Sequence, residues 1–298
     1  MDSHREPEGF DYQGMVIRPP SEADSILIQA TLGCSHNKCT FCRTYKDKRF
    51  SIKDEEVILR DLAFAQKYCR RQNRVFLMDG DALIIPQKRL VWLLEQIREK
   101  LPWVERVGLY ANSKSVQMKS DDDLSQLREM GLGIAYYGVE SGDDETLRRV
   151  RKGADAEKLV KQGRRIIQAG IKLSVTVLLG IGGRERSMVH ARATGQLLTR
   201  LDPDYVGALT VMVIPGTPLA EEQAAGTWTL PDSTEILTEL REMVRTTKLT
   251  HGFFFSNHAS NYLPLKIHYP HEQTDALRVI DAALEGRIGL KPEWMRAL

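Results

Sequence analysis

The 298-residue sequence has no apolar run of the roughly 18 residues that a membrane helix needs; its longest, Leu173 to Gly183, carries Ser174 and Thr176 and stops at glycines. That excludes a helical membrane span. The start, Met1 to Gly14, is polar and acidic and lacks the apolar core of a secretory signal. An excess of either charge is also missing, since 42 Lys and Arg stand against 40 Asp and Glu, a net charge of +2. Disordered acidic or basic tails are excluded by that balance, and a dedicated nucleic-acid binder is disfavoured. The expectation is a cytoplasmic protein without a membrane partner. Cysteine is scarce, four in all, yet Cys34, Cys39 and Cys42 fall within nine residues. In a reducing compartment such a cluster reads as metal ligands or catalytic groups, not as disulfides. Cys69 lies in an apolar-periodic stretch and is expected as a buried small hydrophobe. The chain is long enough to bury about 75% of its unfolded surface, so its core needs no disulfide.

What is present is an alternation of strands and helices without repeats or low-complexity tracts. Strands are expected at Ser25–Leu32, Arg74–Met78, Arg106–Tyr110, Gly133–Val139, Lys172–Leu179 and Tyr205–Ile214, from apolar runs bounded by turn residues. Helical periodicity marks Lys53–Arg71, Pro86–Lys100, a stretch capped near Ser120 and ended by Gly131, Ala156–Ala169, Ser187–Leu201 and Ser233–Lys248. Six such strand-helix units imply α/β architecture, a parallel sheet covered by helices, either open or curled into a barrel. The unusual residues then all follow strands: the cysteines, Asp79-Gly80-Asp81, Asn112-Ser113, Glu140-Ser141-Gly142, Gly180 with Gly182 and Gly183, and Pro215-Gly216-Thr217-Pro218. Carboxyl ends of parallel strands are where such folds place ligands.

The segment Gly33-Cys34-Ser-His-Asn-Lys-Cys39-Thr-Phe-Cys42 offers three thiolates from one loop. Three ligands with an open fourth position suit a metal that must touch substrate or cofactor. A structural zinc site is the alternative, with His36 as fourth ligand. On these motifs, from about Ser25 to about Leu219, the chain resembles the radical S-adenosylmethionine (SAM) superfamily, in the branch of Elongator-3-type proteins, methylthiotransferases and oxygen-independent coproporphyrinogen oxidases. It departs from the usual pattern by placing four residues, Ser35 to Lys38, between the first two cysteines where three are standard.

The resemblance implies a partial (β/α)6 TIM-like barrel over 25–249, an N-terminal extension over 1–24, and a short C-terminal extension over 250–298 that closes the barrel. It implies a [4Fe–4S] cluster on Cys34, Cys39 and Cys42, with SAM on the fourth iron, and reductive cleavage of SAM to a 5′-deoxyadenosyl radical that abstracts hydrogen. Phe41 corresponds to the aromatic lying against adenine, and equally to a core residue beside the cluster. Asp79, Gly80 and Asp81 stand where the family contacts the methionine amino group, although Asp-Gly-Asp is also common in plain turns. Glu140 and Ser141 match the fourth-strand motif that holds SAM; alternatively Glu140 caps the next helix or pairs with Arg148 or Arg149. Asn112 falls where ribose or substrate contacts lie, and is also an ordinary turn residue. Gly180 and Ile181 match the fifth-strand turn that packs adenine, and Pro215-Gly-Thr-Pro-Leu219 is expected to shape a turn.

One cysteine beyond the motif cannot build a second cluster, which disfavours sulfur insertion, and no flanking stretch of about 100 residues offers a cobalamin or tRNA domain. A small-molecule substrate is therefore expected, with RNA modification, or a non-catalytic iron–sulfur or zinc protein, as alternatives. In the C-terminal extension, Asn257, His258 and Asn261 are candidate substrate contacts, or merely parts of a polar capping loop. Lys46, Lys48, Arg49 and Lys53 form a basic stretch that suits an acidic flavodoxin or ferredoxin as electron donor, or a solvated surface.

Overall fold

The computed structural model describes residues 9–297. Of the expected polar start and N-terminal extension, positions 1–8 lie outside the described residues. The strands are β1 (Ile26–Ile28), β2 (Thr31–Leu32), β3 (Ser51–Ile52), β4 (Arg74–Leu77), β5 (Arg106–Ala111), β6 (Leu132–Glu140), β7 (Lys172–Leu179), β8 (Tyr205–Thr210), β9 (Phe253–Phe255) and β10 (Lys266–His268). The helices are α1 (Glu55–Tyr68), α2 (Gln87–Lys100), α3 (Ser113–Gln117), α4 (Asp121–Glu129), α5 (Asp144–Arg149), α6 (Ala156–Gln168), α7 (Gly183–Leu201), α8 (Pro218–Ala224), α9 (Ser233–Thr246) and α10 (Gln273–Leu284). The chain divides into two compact units, one holding residues up to Asn37, Thr44–Tyr136 and Arg165–Lys172, the other Lys38–Arg43, Tyr137–Arg164 and the chain from Leu173.

In the first unit β1, β4 and β5 run parallel, with Ile26 opposite Val75 and Arg74 opposite Arg106, and β6 follows β5 in strand order. The strands are apolar on both faces because both are covered. Val75, Phe76 and Leu77 are buried, and α2 turns Leu90, Leu93, Leu94 and Ile97, spaced at three and four residues, into the core. Ser120 caps α4 as expected, its Oγ accepting the Asp123 N–H at 2.9 Å while Asp123 accepts the Ser120 N–H at 2.8 Å. Phe76, Tyr110 and Tyr136 meet edge to face at 5.1 to 6.1 Å.

The expected single strand Ser25–Leu32 is two. Gln29 breaks it, its amide donating sideways to Asp79 at 2.9 Å and to the Gln13 carbonyl at 3.2 Å. The chain then leaves the sheet as β2, which pairs antiparallel with β3, Thr31 opposite Ile52. That two-residue ribbon is the stem of the loop carrying Cys34.

In the second unit the strand order is β6-β7-β8-β9-β10, parallel from β7 to β9 and antiparallel between β9 and β10. One face, with Val175, Val177, Leu179, Val206, Ala208, Phe254 and Ile267, is fully buried. Helices α7 and α9 pack together closely at Gly195, where a Cβ would meet Thr246 Oγ1 and lie 2.9 Å from the Met243 carbonyl. The C-terminal stretch after residue 250 adds β9, β10 and α10 to this unit. The alternation of strand and helix is the expected α/β order, with a mostly parallel sheet.

Candidate functional site

In the first unit the Asp79-Gly80-Asp81 turn after β4 lies backbone against backbone on the cysteine loop. The Gly80 N–H donates to the Gly33 carbonyl at 3.1 Å. A Cβ on Gly80 would fall 2.7 Å from Cys34 Cβ and 2.9 Å from Cys34 Cα, so only glycine fits this cradle. Both flanking carboxyls are buried and turned to protein donors. Asp79, with φ of 70°, accepts from Gln29 Nε2 at 2.9 Å and from the Tyr45 hydroxyl at 3.4 Å, and burial pushes its carboxyl up. Asp81 Oδ2 accepts from Asn112 Nδ2 at 2.7 Å and from the Ser35 hydroxyl, the residue after Cys34. Burial outweighs these donors and pushes the Asp81 carboxyl up to about 6. Its Oδ1 is buried without a hydrogen-bond partner.

Asn112 joins this network and caps α3 as well, its Oδ1 accepting the N–H groups of Lys114 at 2.9 Å and Ser115 at 3.0 Å.

In the second unit Cys39 and Cys42 sit on an arc, Lys38–Arg43, held at three points. The Thr40 N–H donates to the Val150 carbonyl at 3.1 Å, and the Thr40 carbonyl accepts the Leu219 N–H at 3.1 Å. Arg43 Nη1 donates to the Pro215 carbonyl at 2.5 Å. The Pro-Gly-Thr-Pro-Leu stretch therefore clasps the arc as well as turning into α8, where Thr217 is the cap and Pro218 the first residue. The clasp was hidden in the sequence, because its contacts run through backbone atoms about 170 residues away. Phe41 packs on a buried cluster of Val150, Leu178, Ile181, Val211, Leu219 and Trp228.

Glu140, at φ of 66°, pairs with Lys152 at 2.9 Å, both side chains 11% exposed, and not with Arg148 or Arg149. The helix cap that Glu140 could have supplied comes from Asp143, which accepts from Thr146. Burial alone would raise the Asp143 carboxyl, but two hydrogen bonds from Arg186 at 2.8 and 2.9 Å and those from Thr146 hold it down at about 2. Ser141 is fully buried with its Oγ 2.7 Å from His190 Nδ1. Gly180, at φ of 82°, gives its N–H to Glu239 at 2.6 Å, and Ile181 lies in the apolar cluster. His190 and Glu239 went unmarked in the sequence. A signal existed for Glu239, which sits on the apolar stripe of α9 between Ile236 and Met243.

In the C-terminal stretch Asn257 is exposed. His258 is half-buried beside the Ser260 hydroxyl at 2.9 Å, its imidazole pushed down by burial and by Lys291. Asn261 is buried with both ends of its amide on protein. Nδ2 donates to the carbonyls of Ala208 at 2.7 Å and Ser256 at 2.8 Å, and Oδ1 accepts from Thr210 at 2.8 Å. Lys53 leaves the expected basic surface, because it is buried and paired with Asp11 at 2.8 Å. Lys46 and Lys48 bond the carbonyls of Asn37 and Gln13, at 2.7 and 3.1 Å. Cys69, expected buried, is half-exposed at the end of α1, and partial burial pushes its thiol up.

Cys34 thus belongs to the first unit and Cys39 and Cys42 to the second, each of intermediate exposure. Among the described residues no three His, Cys, Asp or Glu side chains are already grouped to hold a metal. The donor chemistry still fits an iron–sulfur cluster: three reachable thiols on one stemmed loop, and a glycine cradle against the first.

Among known proteins, the family model described as "Radical SAM superfamily" matches residues 28–192, more than half of the chain. An uncharacterized protein of Methanocaldococcus jannaschii is 25% identical over 226 residues, covering 71% of this chain and 68% of the relative. Three solved structures share the fold. Methylornithine synthase has a TM-score of 0.52 at 20% identity, covering 75% of this chain and 63% of its own. A radical S-adenosylmethionine methyltransferase from Kitasatospora setae, with cobalamin and a [4Fe–4S] cluster bound, has 0.54 at 20%, covering 69% and 38%. Coproporphyrinogen III oxidase from Escherichia coli has 0.53 at 16%, covering 74% and 51%. The chain spans less than two thirds of each of these structures. No helix among the described residues is long and apolar enough to cross a membrane.

Proposed function

The chain belongs to the radical SAM superfamily, whose members use a [4Fe–4S] cluster and SAM, and from that premise we propose that it is a SAM-cleaving enzyme acting on a small molecule. Cys34, Cys39 and Cys42 would hold the cluster, leaving one iron for SAM. The chemistry supplied when both are bound is one-electron cleavage of the sulfonium to methionine and a 5′-deoxyadenosyl radical, which takes hydrogen from substrate.

The chain's own residues bind, orient and shield. Gly80 lets the turn after β4 approach the Cys34 backbone, and Asp81 ties that turn to Ser35, the residue after Cys34. Asp79 and Asp81 already accept protein hydrogen bonds, so the ammonium of SAM would meet this turn through backbone carbonyls and the remaining Asp81 oxygen. Phe41 and Ile181, in one apolar cluster, present a surface for adenine and exclude water there. Glu140, held beside Lys152, offers its second oxygen to a ribose hydroxyl. Lys46, Lys48 and Arg49 remain as the docking patch for an acidic flavodoxin or ferredoxin.

The observation that carries the reading is the loop itself: a closed stem, three thiols, and an aromatic from the same loop packed with the turn after β7. Anaerobic reconstitution with iron and sulfide, followed by dithionite and SAM, tests it. The expected product is 5′-deoxyadenosine, lost in C34A, C39A and C42A. Zinc in place of iron, or a reconstituted cluster that leaves SAM intact, would overturn it. RNA copurifying with the chain and altered by it would move the substrate from small molecule to RNA.

A further inference from the structure

A line of buried polar groups in the second unit lies against the Glu140–Ser141 loop and the Gly180–Ile181 turn, and the proposed chemistry does not use it. Glu239 of α9 is fully buried, with Oε1 accepting the Gly180 N–H at 2.6 Å and Oε2 accepting the Ser187 hydroxyl at 2.5 Å. His190 of α7 is equally buried, its Nε2 3.4 Å from Glu239 Oε1 and its Nδ1 2.7 Å from Ser141 Oγ. Ser141 Oγ also accepts the Asp143 N–H at 3.0 Å, Thr194 Oγ1 lies 3.3 Å from the same His190 Nδ1, and His190 Nε2 is buried against the Glu239 carboxyl without a hydrogen bond to it. Thr194, one turn after His190, accepts the Gly142 N–H at 2.9 Å. A Cβ on Gly142 would lie 2.7 Å from Thr194 Cα, so this loop is seated directly on the α7 backbone.

A buried carboxylate is retained only where its partners are well placed, because desolvation otherwise outweighs the attraction. Here the partners are the Gly180 N–H of the turn after β7, the Ser187 hydroxyl and, packed at 3.4 Å, the His190 ring, whose other nitrogen meets the Ser141 hydroxyl of the loop after β6. Resting on the SAM-binding reading above, we propose that Glu239 and His190 are positioning residues that lock the Glu140–Ser141 loop and the Gly180–Ile181 turn to each other, so that the two close on the nucleoside as one body. Glu239 acts through Gly180 and His190 through Ser141; neither touches the reacting atoms.

The coupling is read in the full-length chain by hydrogen–deuterium exchange, before any cofactor is added. S141A removes one hydroxyl at the far end of the line, and is expected to speed exchange about tenfold in 138–146 and also in 178–186, while the body of α9 keeps its wild-type rate. E239L is expected to loosen both segments and, after reconstitution, to weaken SAM binding about tenfold by calorimetry at unchanged iron content. E239Q keeps an acceptor for Gly180 and is expected within about twofold of wild type on both measures. The proposal is overturned if S141A leaves 178–186 at the wild-type rate, or if E239L binds SAM as wild type does. Should E239L not fold, S141A decides alone. Failure of the wild-type chain to make 5′-deoxyadenosine would instead remove the SAM reading and leave the exchange result standing.

Discussion

Asp81 gives the sharpest quantitative test of the site. Its carboxyl is buried, its pKa raised from an ordinary 3.8 to about 6 by loss of hydration, and only Oδ2 has hydrogen-bond donors. The native state therefore binds this proton more tightly than the unfolded chain does. Stability from the group is fully present below pH 4 and is lost as pH rises through 6. A displacement of about 2 pH units corresponds to about 3 kcal/mol. D81N keeps the shape, offers its carbonyl oxygen to Ser35 and Asn112, and cannot ionise. The stability of wild type minus that of D81N should therefore fall by about 2.4 kcal/mol between pH 4 and pH 7, then stay level. Urea denaturation of the metal-free chain at pH 4, 5, 6 and 7, followed by circular dichroism, measures it. Contributions of other carboxylates, such as Asp143 and Glu242, both held near 2 by arginines, cancel in the difference. A difference that stays flat within about 0.5 kcal/mol, or that rises with pH, would refute the argument that burial dominates at this turn.

Other outcomes follow from close contacts elsewhere. G80A places a methyl into Cys34 backbone and should cost about 1–3 kcal/mol and lower the iron bound per chain on reconstitution, read by thermal melting and iron assay. K152M leaves the buried Glu140 carboxylate unpaired and should cost about 3–5 kcal/mol, most of it regained in K152M/E140Q; no recovery in the double variant would show that the pair is not the cause. G195A should destabilise by about 1–3 kcal/mol by forcing α9 away from α7, seen as a lower melting temperature with unchanged SAM cleavage once folded.

The six expected helices were legible because their apolar stripes are regular, and the six expected strands because both faces are apolar, whereas the short α3, α5, α8 and β3 and the C-terminal β9, β10 and α10 were not read. Nor were the ends. Helix α7 begins at Gly183, four residues before the expected Ser187, because Gly182-Gly183 reads as a turn until Trp228 is seen to occupy the place of a Gly183 side chain, with Nε1 2.7 Å from where a Cβ would be. Strand β8 stops at Thr210 and not Ile214, since Asn261 ties off its end and the chain beyond runs out to clasp the cysteine arc. Of the site, the thiols and the post-strand turns showed in local spacing. Lys152, His190 and Glu239 did not, because each reaches its partner from a different element, 12 to 59 residues away. A basic stretch read from sequence alone assigns all four cations to the surface, and only the fold reveals that Lys53 is taken by Asp11.

The spacer between Cys34 and Cys39 is fastened by its own contacts within each unit. Asn37, within the spacer, takes φ of 44°, a left-handed conformation that asparagine tolerates. Its Nδ2 donates to the Tyr45 carbonyl at 2.6 Å and its carbonyl accepts from Lys46 at 2.7 Å, so the turn is fastened to the returning limb of the loop. Before it, Ser35 is fastened to Asp81; after it, Thr40 is fastened to Val150 and Leu219.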